Sequence, residues 1–298
     1  MFTGCGTALV TPFRHDLSLD ENTLRKLVQR QIEAGINFLV PCGTTGESPT
    51  LTRAEHLRVV EITLEETKGK VPVLAGAGGY NTHEVIELAL ELKRMGADGI
   101  LSVTPYYNKP TQEGLYQHYQ AIAAAVRLPI VVYSVQGRTG VNVEPSTLAR
   151  LAQTPNIVGV KEASGNISQM ANVIHEVPAG FHVLSGDDAI TIPLIALGGR
   201  GIISVVSNQI PREMTQLAQA ALANDFETAR SIQRRYLLLM NVNFVESNPI
   251  PVKAAMGLMG LLEPVYRLPM VPPAATSLAK IEKVLESVGL LGRVPVAG

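Results

Sequence analysis

Ile157-Val158-Gly159-Val160-Lys161-Glu162-Ala163-Ser164 is a short, mostly apolar run with a lysine inside it. Runs of this length and composition are typical of strands in a parallel sheet, which are buried on both faces. Seven other short apolar runs alternate along the chain with longer helical patterns, and such alternation predicts parallel βα units. We expect eight strands, near residues 6–11, 37–43, 71–77, 99–105, 129–135, 157–163, 181–186 and 201–206.

The stretches between these strands are amphipathic and begin at residues that favour helix N-termini. Examples are 20–34, 53–67, 83–95 and 112–126, with Asp20, Thr52, Thr82 and Thr111 as the expected capping residues. Eight βα units predict a closed (β/α)8 TIM barrel, with the active site at the carboxyl ends of its strands. An open doubly wound sheet is the alternative fold. It is disfavoured because no glycine-rich dinucleotide motif follows the first strand.

Three further helical segments follow the eighth unit, near 225–240, 251–261 and 273–288. They exceed what a barrel needs, and such a layer usually covers one face or builds a subunit interface. Proline-rich breaks at 249–251 and 269–273 separate the helices without making a flexible linker. We therefore predict a catalytic barrel over residues 1–223 and a C-terminal helical extension over 224–298, packed on the barrel.

The composition is that of a globular chain without a strong charge bias. Of 298 residues 46% are hydrophobic, and the formal net charge is −1, which gives no excess charge to attract nucleic acid or an anionic membrane. The N-terminal residues lack a signal-peptide pattern, and no apolar run reaches the length of about 18 residues that a membrane span needs. We expect a cytoplasmic protein, with Cys5 and Cys42 as small buried residues rather than a disulfide.

Lys161 is the first candidate for catalysis, because a charged amine is expensive to bury without a partner or a purpose. Burial favours the neutral amine, which is the form that attacks a ketone carbonyl to give a Schiff base. The lysine therefore suggests a carbonyl substrate. In the alternative, the side chain reaches water at the strand end or pairs with Glu162.

Polar residues after the other predicted strands would converge on the same mouth of the barrel. The turn 43–48 offers hydroxyls and backbone N–H groups that could hold a carboxylate, or it is a plain turn. Tyr133 lies one strand from Lys161 at a similar depth, where its phenol could relay protons. Arg138 is either a clamp for a substrate carboxylate or an exposed arginine in a glycine-flanked loop.

The sequence offers no clear metal site. Asp187 and Asp188 are adjacent carboxylates, but neighbouring side chains diverge, so helix capping and hydrogen bonding are the preferred interpretation. The six histidines have no ligand spacing, and the glycines of 76–79 lack the Lys-Ser/Thr of a phosphate loop. We predict that no catalytic metal is bound.

Five motifs occur together in the chain: Gly43-Thr44-Thr45-Gly46-Glu47, Tyr133 followed by Gly137-Arg138-Thr139-Gly140, Val160-Lys161-Glu162-Ala163-Ser164-Gly165-Asn166, Ser185-Gly186-Asp187-Asp188, and the segment 244–253. Together they resemble the signature of the dihydrodipicolinate synthase and N-acetylneuraminate lyase superfamily, over nearly the whole chain. Arg138 and the block Thr104-Pro105-Tyr106-Tyr107 resemble the synthase branch. The resemblance implies a lyase that condenses pyruvate with L-aspartate 4-semialdehyde to 4-hydroxy-tetrahydrodipicolinate, the first committed step of lysine and diaminopimelate synthesis.

The resemblance also implies catalytic roles. Lys161 would form the pyruvyl Schiff base, so that no separate cofactor is required. Thr44, Tyr133 and Tyr107 would relay protons, with Tyr107 reaching into the site of a neighbouring subunit. The family implies a homotetramer built from tight dimers.

Substrate-binding roles follow in the same way. Thr45 and the adjacent backbone would hold the pyruvate carboxylate, and Arg138 would bind the carboxylate of the semialdehyde. Gly186 and Ile203 would line the pocket through their backbone carbonyls.

Two positions depart from the family pattern Tyr-Asn-Val-Pro-Gly-Arg-Thr, because Ser134 and Gln136 replace its asparagine and proline. Losing the proline frees the backbone before Arg138. We expect the departures to bear on the rigidity of this loop and on aldehyde preference, and to leave the lysine chemistry untouched.

A regulatory lysine site is a further implication of the resemblance. In lysine-sensitive members an interface site is formed by residues that match Ser48, His56, Glu84 and Tyr106, with Glu84 supplying charge for the amine. Tyr80 and Arg53 depart from the usual asparagine and histidine; the first could fill the pocket and the second could alter its charge. Inhibition by lysine is therefore left open.

Two alternative functions remain at the level of sequence. A related class I aldolase that cleaves a 2-keto sugar acid would share Lys161 and Tyr133. A non-catalytic barrel that senses 2-keto acids would need neither Thr44 nor Tyr107, and the presence of the full set argues against it.

Overall fold

The structure, a computed structural model, describes residues 1–291 of the chain. Its centre is a barrel of eight parallel strands: β1 (Gly4–Ala8), β2 (Phe38–Val40), β3 (Leu74–Gly76), β4 (Gly99–Val103), β5 (Ile130–Ser134), β6 (Ile157–Glu162), β7 (His182–Ser185) and β8 (Gly201–Ser204). The strands pair in the order β2-β1-β8-β7-β6-β5-β4-β3, and a parallel bridge between Leu39 and Val73 joins the two ends. The predicted TIM barrel is confirmed, and the doubly wound alternative is wrong.

Helices connect the strands and surround the barrel. They are α1 (Glu21–Glu33), α2 (Arg53–Thr67), α3 (Thr82–Met95), α4 (Gln112–Val126), α5 (Gln136–Thr139), α6 (Pro145–Leu151), α7 (Ile167–Glu176), α8 (Thr191–Ala196) and α9 (Pro211–Leu222). Each strand therefore leads into a helix before the next strand begins, which is why all eight strands run in the same direction.

Capping side chains fix where the first helices begin. Asp20, Thr52 and Thr111 accept hydrogen bonds from backbone N–H groups of the first turns of α1, α2 and α4, as predicted. The cap of α3 is Asn81 rather than Thr82, since the Asn81 side chain accepts from the backbone N–H of His83. Thr82 instead pairs through its hydroxyl with Nδ1 of His118 on α4.

The hydrophobic core has two layers. One fills the barrel, where Phe2 closes the amino-terminal end and packs edge-on against Phe38 at 5.6 Å between ring centroids. The larger layer lies between the outer faces of the strands and the helices. The inner layer is made of apolar side chains with the Tyr133 ring, and the candidate site lies at the carboxyl end of the barrel.

Three helices follow the barrel: α10 (Phe226–Val242), α11 (Ile250–Leu258) and α12 (Ala275–Ser287), within three residues of the predicted bounds. α10 packs on α9, and α12 packs on α10 and α11. After α11, Arg267 donates to the carbonyls of Leu17 and Thr50 and to the Glu55 carboxylate. The end of the predicted extension, 292–298, lies outside the described residues, and the domain boundary at 223/224 stays a prediction.

Two smaller observations bear on the class of protein. None of the helices within residues 1–291 has the length and apolar character required to cross a bilayer. Cys5 and Cys42 are both buried and unpaired, in agreement with their prediction as small core residues.

Candidate active site

Lys161 lies on β6 and points into the carboxyl end of the barrel. It is 5% exposed, and the strand register places it between Tyr133 of β5 and Leu184 of β7. Its Nζ lies 4.3 Å from the centre of the Tyr133 ring. The ion pairs found among residues 1–291 do not include Lys161. The Lys161 amine is therefore buried without an ion-pair partner in this part of the chain.

Glu162, the neighbour that could have paired with this lysine, points to the other side of the sheet. Its carboxylate accepts from Nε2 of Gln169 at 2.7 Å and from the backbone N–H of Ser164 at 3.2 Å. Successive side chains on a strand face opposite sides, so the separation follows from the fold. Burial raises the pKa of Glu162 above its ordinary value, while these hydrogen bonds oppose the shift.

A cavity of about 210 Å³ opens above Lys161. Its lining residues are Thr45, Tyr133, Val135, Arg138, Lys161, Ala163, Gly186, Asp187, Val205, Phe244 and Asn248. Five of the predicted site residues therefore meet in one space, and their side chains and backbone come from the ends of several strands. The volume suits a small substrate.

Gly186 leaves room for the lysine side chain. A Cβ at this position would lie 3.1 Å from Cε of Lys161 and 2.6 Å from Cβ of Ala163. Ile203, by contrast, is fully buried on β8, and its side chain packs inside the barrel rather than lining the cavity. Val205, which directly follows β8, lines the cavity instead.

The turn 43–48 folds on itself after β2. Backbone N–H groups of Gly46 and Glu47 donate to the carbonyls of Gly43 and Thr44, both at 3.1 Å. Thr11 donates its hydroxyl to the Gly46 carbonyl at 2.7 Å, which ties the turn to the end of β1. This arrangement places Thr45 at the Lys161 cavity, 2% exposed, with its Oγ1 accepting from Nδ2 of Asn248 at 2.9 Å.

Arg138 lies on a helical turn rather than in an open loop. This turn, α5, places Arg138 in the lining of the cavity. The Nη2 of Arg138 donates to the backbone carbonyl of Asn248 at 3.0 Å. Ser134, one of the two departures from the family pattern, is buried behind the site, where its Oγ accepts from the backbone N–H of Val143. Neither Ser134 nor Gln136 belongs to the described lining of the Lys161 cavity.

Asp187 and Asp188 act as hydrogen-bond acceptors, in agreement with the interpretation preferred from sequence. Asp187 caps a short turn by accepting from the backbone N–H of Ala189 at 2.9 Å. Asp188 accepts from the Ser204 hydroxyl at 2.6 Å and from the backbone N–H groups of Val205 and Val206. Burial raises the pKa of Asp188 to about 6, although these hydrogen bonds oppose the shift.

A second cavity, of about 440 Å³, adjoins the first, and the two share Tyr133, Val135 and Arg138 in their linings. Thr44 lines this larger cavity rather than the space above Lys161. Tyr107 lies outside both linings, on the loop after β4, with 91% of its surface exposed and a left-handed φ of 68°. Within one subunit, therefore, Tyr107 is separated from the other predicted relay residues.

Three of the residues matched to the lysine site, Ser48, His56 and Tyr106, line the larger cavity. Tyr80 packs edge-on against Tyr106 at 5.2 Å between centroids, and Glu84 accepts from Nδ2 of Asn81 at 2.9 Å. Burial lowers the pKa of His56 to about 4, and its Nε2 lies 2.9 Å from the Gly76 carbonyl. His56 is therefore neutral near pH 7 and donates to that carbonyl.

Sequence reasoning missed one feature of the site, a buried ion pair below the turn 43–48. Nζ of Lys253 on α11 donates to Oε1 of Glu47 at 2.6 Å, and the two side chains are 0% and 1% exposed. The sequence does contain a signal for this ion pair, because Lys253 interrupts the apolar segment 250–256 just as Lys161 interrupts β6. As for metals, no cluster of three His, Cys, Asp or Glu side chains suited to a metal ion occurs within residues 1–291.

Comparison with known protein families identifies the family of this chain. The model of the dihydrodipicolinate synthetase family matches residues 1–288 of the chain. The chain belongs to this family. Curated relatives named 4-hydroxy-tetrahydrodipicolinate synthase include one from Koribacter versatilis, 54% identical over 99% of this chain and 98% of its own length. Another, from Chloroherpeton thalassium, is 51% identical over 97% and 96% of the two chains.

Solved structures of the family are similar over the whole fold. A dihydrodipicolinate synthase from Thermotoga maritima has a TM-score of 0.96 and 47% identity, covering 98% of this chain and 100% of its own. A chloride-inhibited synthase from Acinetobacter baumannii, determined in complex with pyruvate, has a TM-score of 0.96 and 43% identity, with the same coverage. A monomeric dihydrodipicolinate synthase variant matches with a TM-score of 0.95 and 46% identity, over 97% and 98% of the two chains. The family predicted from the sequence motifs is confirmed.

Proposed function

We propose that this protein is a lyase that condenses pyruvate with L-aspartate 4-semialdehyde to 4-hydroxy-tetrahydrodipicolinate, in lysine and diaminopimelate synthesis. The observation that carries the proposal is the buried Lys161 amine, which has no carboxylate partner among residues 1–291 and faces a small cavity bounded by Tyr133 and Arg138. The names of the curated relatives support the same reaction.

The chemistry proceeds through covalent adducts on Lys161. The amine attacks the ketone carbon of pyruvate, water leaves, and loss of a methyl proton gives an enamine. The enamine carbon attacks the aldehyde carbon of the semialdehyde, whose oxygen takes up a proton. The amine of the semialdehyde then attacks the imine carbon, which closes the ring and releases Lys161.

Tyr133 is the proposed proton carrier beside the lysine, with Thr44 and Tyr107 extending the relay. Thr45 and its neighbouring backbone N–H groups would hold the pyruvate carboxylate, and Arg138 that of the semialdehyde. Gly186 would leave clearance for the lysine, and Ile203 would contribute through its backbone carbonyl. Because the iminium of Lys161 stabilises the developing carbanion, we propose that no external cofactor or metal takes part.

Assembly and location belong to the same proposal. We propose a homotetramer of tight dimers in the cytoplasm, where a partner subunit brings Tyr107 to the active site. The exposure of Tyr107 and the separation between it and Lys161 within one subunit support a contribution in trans. Two buried, unpaired thiols fit a reducing compartment. Sedimentation velocity measures the assembly, and a monomer with full activity would contradict it.

Lysine inhibition through Ser48, His56, Tyr80, Glu84 and Tyr106 is the remaining proposal for this surface. The larger cavity, which three of these residues line, supports it. A rate that stays flat across a titration with lysine would refute it.

The function is tested by supplying purified protein with both substrates and coupling the product to dihydrodipicolinate reductase, with NADPH loss as the signal. We expect turnover in this assay and none when N-acetylneuraminate is offered for cleavage. Pyruvate release from the sugar acid alone would indicate the related aldolase. Silence in both assays would contradict the proposal and point first to the loop departures Ser134 and Gln136.

The covalent step has its own test in borohydride trapping with pyruvate. We expect trapping by the wild type and by a Lys26→Ala control, which removes an exposed lysine of α1. Lys161→Ala should abolish trapping, and an adduct that persists in this variant would contradict the mechanism.

A further inference from the structure

The segment that joins α10 to α11 contacts both elements proposed to bind the substrate carboxylates. Asn248 donates from Nδ2 to Oγ1 of Thr45, and its backbone carbonyl accepts from Nη2 of Arg138. Five residues further on, Lys253 reaches Glu47 at the end of the turn that holds Thr45. The C-terminal extension thus contacts Thr45, Arg138 and Glu47 directly.

Glu47 lies near the end of that turn. Its backbone is left-handed, with φ 53° and ψ 36°, its N–H donates to the Thr44 carbonyl, and its own carbonyl accepts from the backbone N–H and the hydroxyl of Thr50. The side chain points inward, where Oε1 meets Lys253 and the buried Oε2 has no hydrogen-bond partner within the described residues. The orientation of the carboxylate therefore depends on one contact.

Lys253 is enclosed on its other sides by rings. Its Nζ lies 4.4 Å from the centre of the Phe13 ring and 5.4 Å from that of Tyr266. Burial lowers the pKa of Lys253, while the Glu47 carboxylate opposes the shift. A dry ion pair of this kind is a poor source of net stability, because removing two charges from water costs about as much as their attraction returns. A packed hydrophobic pair at these positions would stabilise the fold equally. Stability therefore does not explain why an ion pair is present.

We infer that Lys253, acting through Glu47, is a positioning residue for the turn that carries Thr44 and Thr45. The ion pair fixes the end of the turn against α11 and so sets where its hydroxyls and backbone N–H groups face pyruvate. This inference rests on the proposed function, and it assigns Lys253 no contact with substrate. Supporting groups of this kind hold reacting groups in productive geometry, and a misplacement of about 1 Å costs up to about a hundredfold in rate.

The experiment replaces both charges at once with neutral side chains of similar length, in the double variant Glu47→Gln, Lys253→Met. We expect the double variant to fold, its pyruvate KM to rise about tenfold, and the pyruvate dependence of borohydride trapping to shift equally. The KM for the semialdehyde should change less than about threefold. Arg25→Met, Glu66→Gln is the matched control, since it removes an ion pair between α1 and α2 at 2.6 Å and should leave both KM values unchanged.

Glu47→Gln alone is the second variant, for the case in which the double variant does not fold. It keeps an acceptor oxygen for Lys253 but loses the charge, so we expect a smaller rise in pyruvate KM, about threefold. Wild-type pyruvate KM and trapping in either folded variant would overturn the inference. Failure of the proposed function would give a different result: the wild type would trap pyruvate but would not turn over the semialdehyde. Pyruvate trapping could then still be compared between the variants and the wild type.

Discussion

The Arg138 guanidinium makes one hydrogen bond within residues 1–291, and this leaves most of its donors for a substrate. The bond runs from Nη2 to the Asn248 carbonyl, whereas a guanidinium carries five N–H groups. We expect Arg138→Ala to raise the KM for the semialdehyde about tenfold to a hundredfold, since a hydrogen bond to a charged group contributes about 1.5–3 kcal/mol.

Pyruvate trapping should change less than about threefold in this variant, because the arginine is proposed to bind only the second substrate. Arg200→Ala, at an exposed position before β8, is the control. Equal losses in trapping and in semialdehyde turnover would assign Arg138 a structural role instead.

His118 makes the stability of the protein depend on pH. Burial lowers its pKa to about 4 in the folded state, whereas an unfolded histidine has a pKa of about 6.5. Between these values the unfolded chain binds a proton that the folded chain does not. The contribution of His118 to stability is therefore fully present above pH 6.5 and is lost as pH falls towards 4.

We expect the difference in melting temperature between the wild type and His118→Gln to shrink as pH falls from 7 to 4. His83→Gln, which removes an exposed histidine of α3, should show no comparable change in that difference. A wild-type advantage that stays constant over the pH range would show that His118 is not kept neutral by the fold.

Lys161 and Lys253 show how far the sequence predicts the site. Each interrupts an apolar segment, so the cost of burying charge selects both. Only the three-dimensional structure separates them, because Glu47 lies 206 residues from Lys253 along the chain and neutralises it. Lys161 has no such partner in the described part of the chain. Residue types therefore indicated reactive candidates, while the long-range contacts that assign their roles were beyond the reach of sequence pattern.

Among the elements, α5 begins at Gln136, the position where the family pattern Tyr-Asn-Val-Pro-Gly-Arg-Thr has proline. Gln136 begins this single turn, and the backbone N–H at that position has no intrahelical acceptor. Proline is favoured there, since its fixed φ suits a helix start. We expect Gln136→Pro to raise the free energy of unfolding by about 0.4–1 kcal/mol, measured by urea denaturation, without loss of kcat.

Gln153→Pro is the matched control for that substitution. Gln153 is also exposed, but its backbone N–H donates to the Arg150 carbonyl at 3.2 Å, so proline should destabilise the protein there. If Gln136→Pro destabilised the protein as well, α5 would not have the backbone geometry described.

The strands and most helices were predictable because their pattern is local. Apolar runs marked all eight strands, and side-chain caps marked the starts of α1, α2 and α4. α5 was not foreseen, because a turn of four residues with two exposed polar side chains and a glycine has no measurable periodicity. The cap of α3 was placed one residue late, since Asn81 and Thr82 are both good capping residues.

At the scale of the whole molecule, the extension after residue 223 is expected to be inseparable from the barrel. Val252, Met256 and Leu262 pack with Val10, Leu27 and Val205 of the barrel in one buried cluster. We expect a chain truncated after residue 223 to lose cooperative thermal unfolding and pyruvate trapping. A chain ending at residue 291, the last described position, should retain both. Cooperative unfolding of the short chain would establish the barrel as an independent domain.

The exposure of Tyr107 has a consequence for how the activity scales with the amount of protein. If a partner subunit must supply this phenol, a lone chain is an incomplete catalyst, and the working unit exists only after two chains have met. At low protein concentration the catalytic activity then rises more steeply than the concentration. Activity becomes proportional to concentration once dimerisation is complete. An exposed residue that lies outside its own site would in this way set a threshold concentration below which the protein is present but inactive.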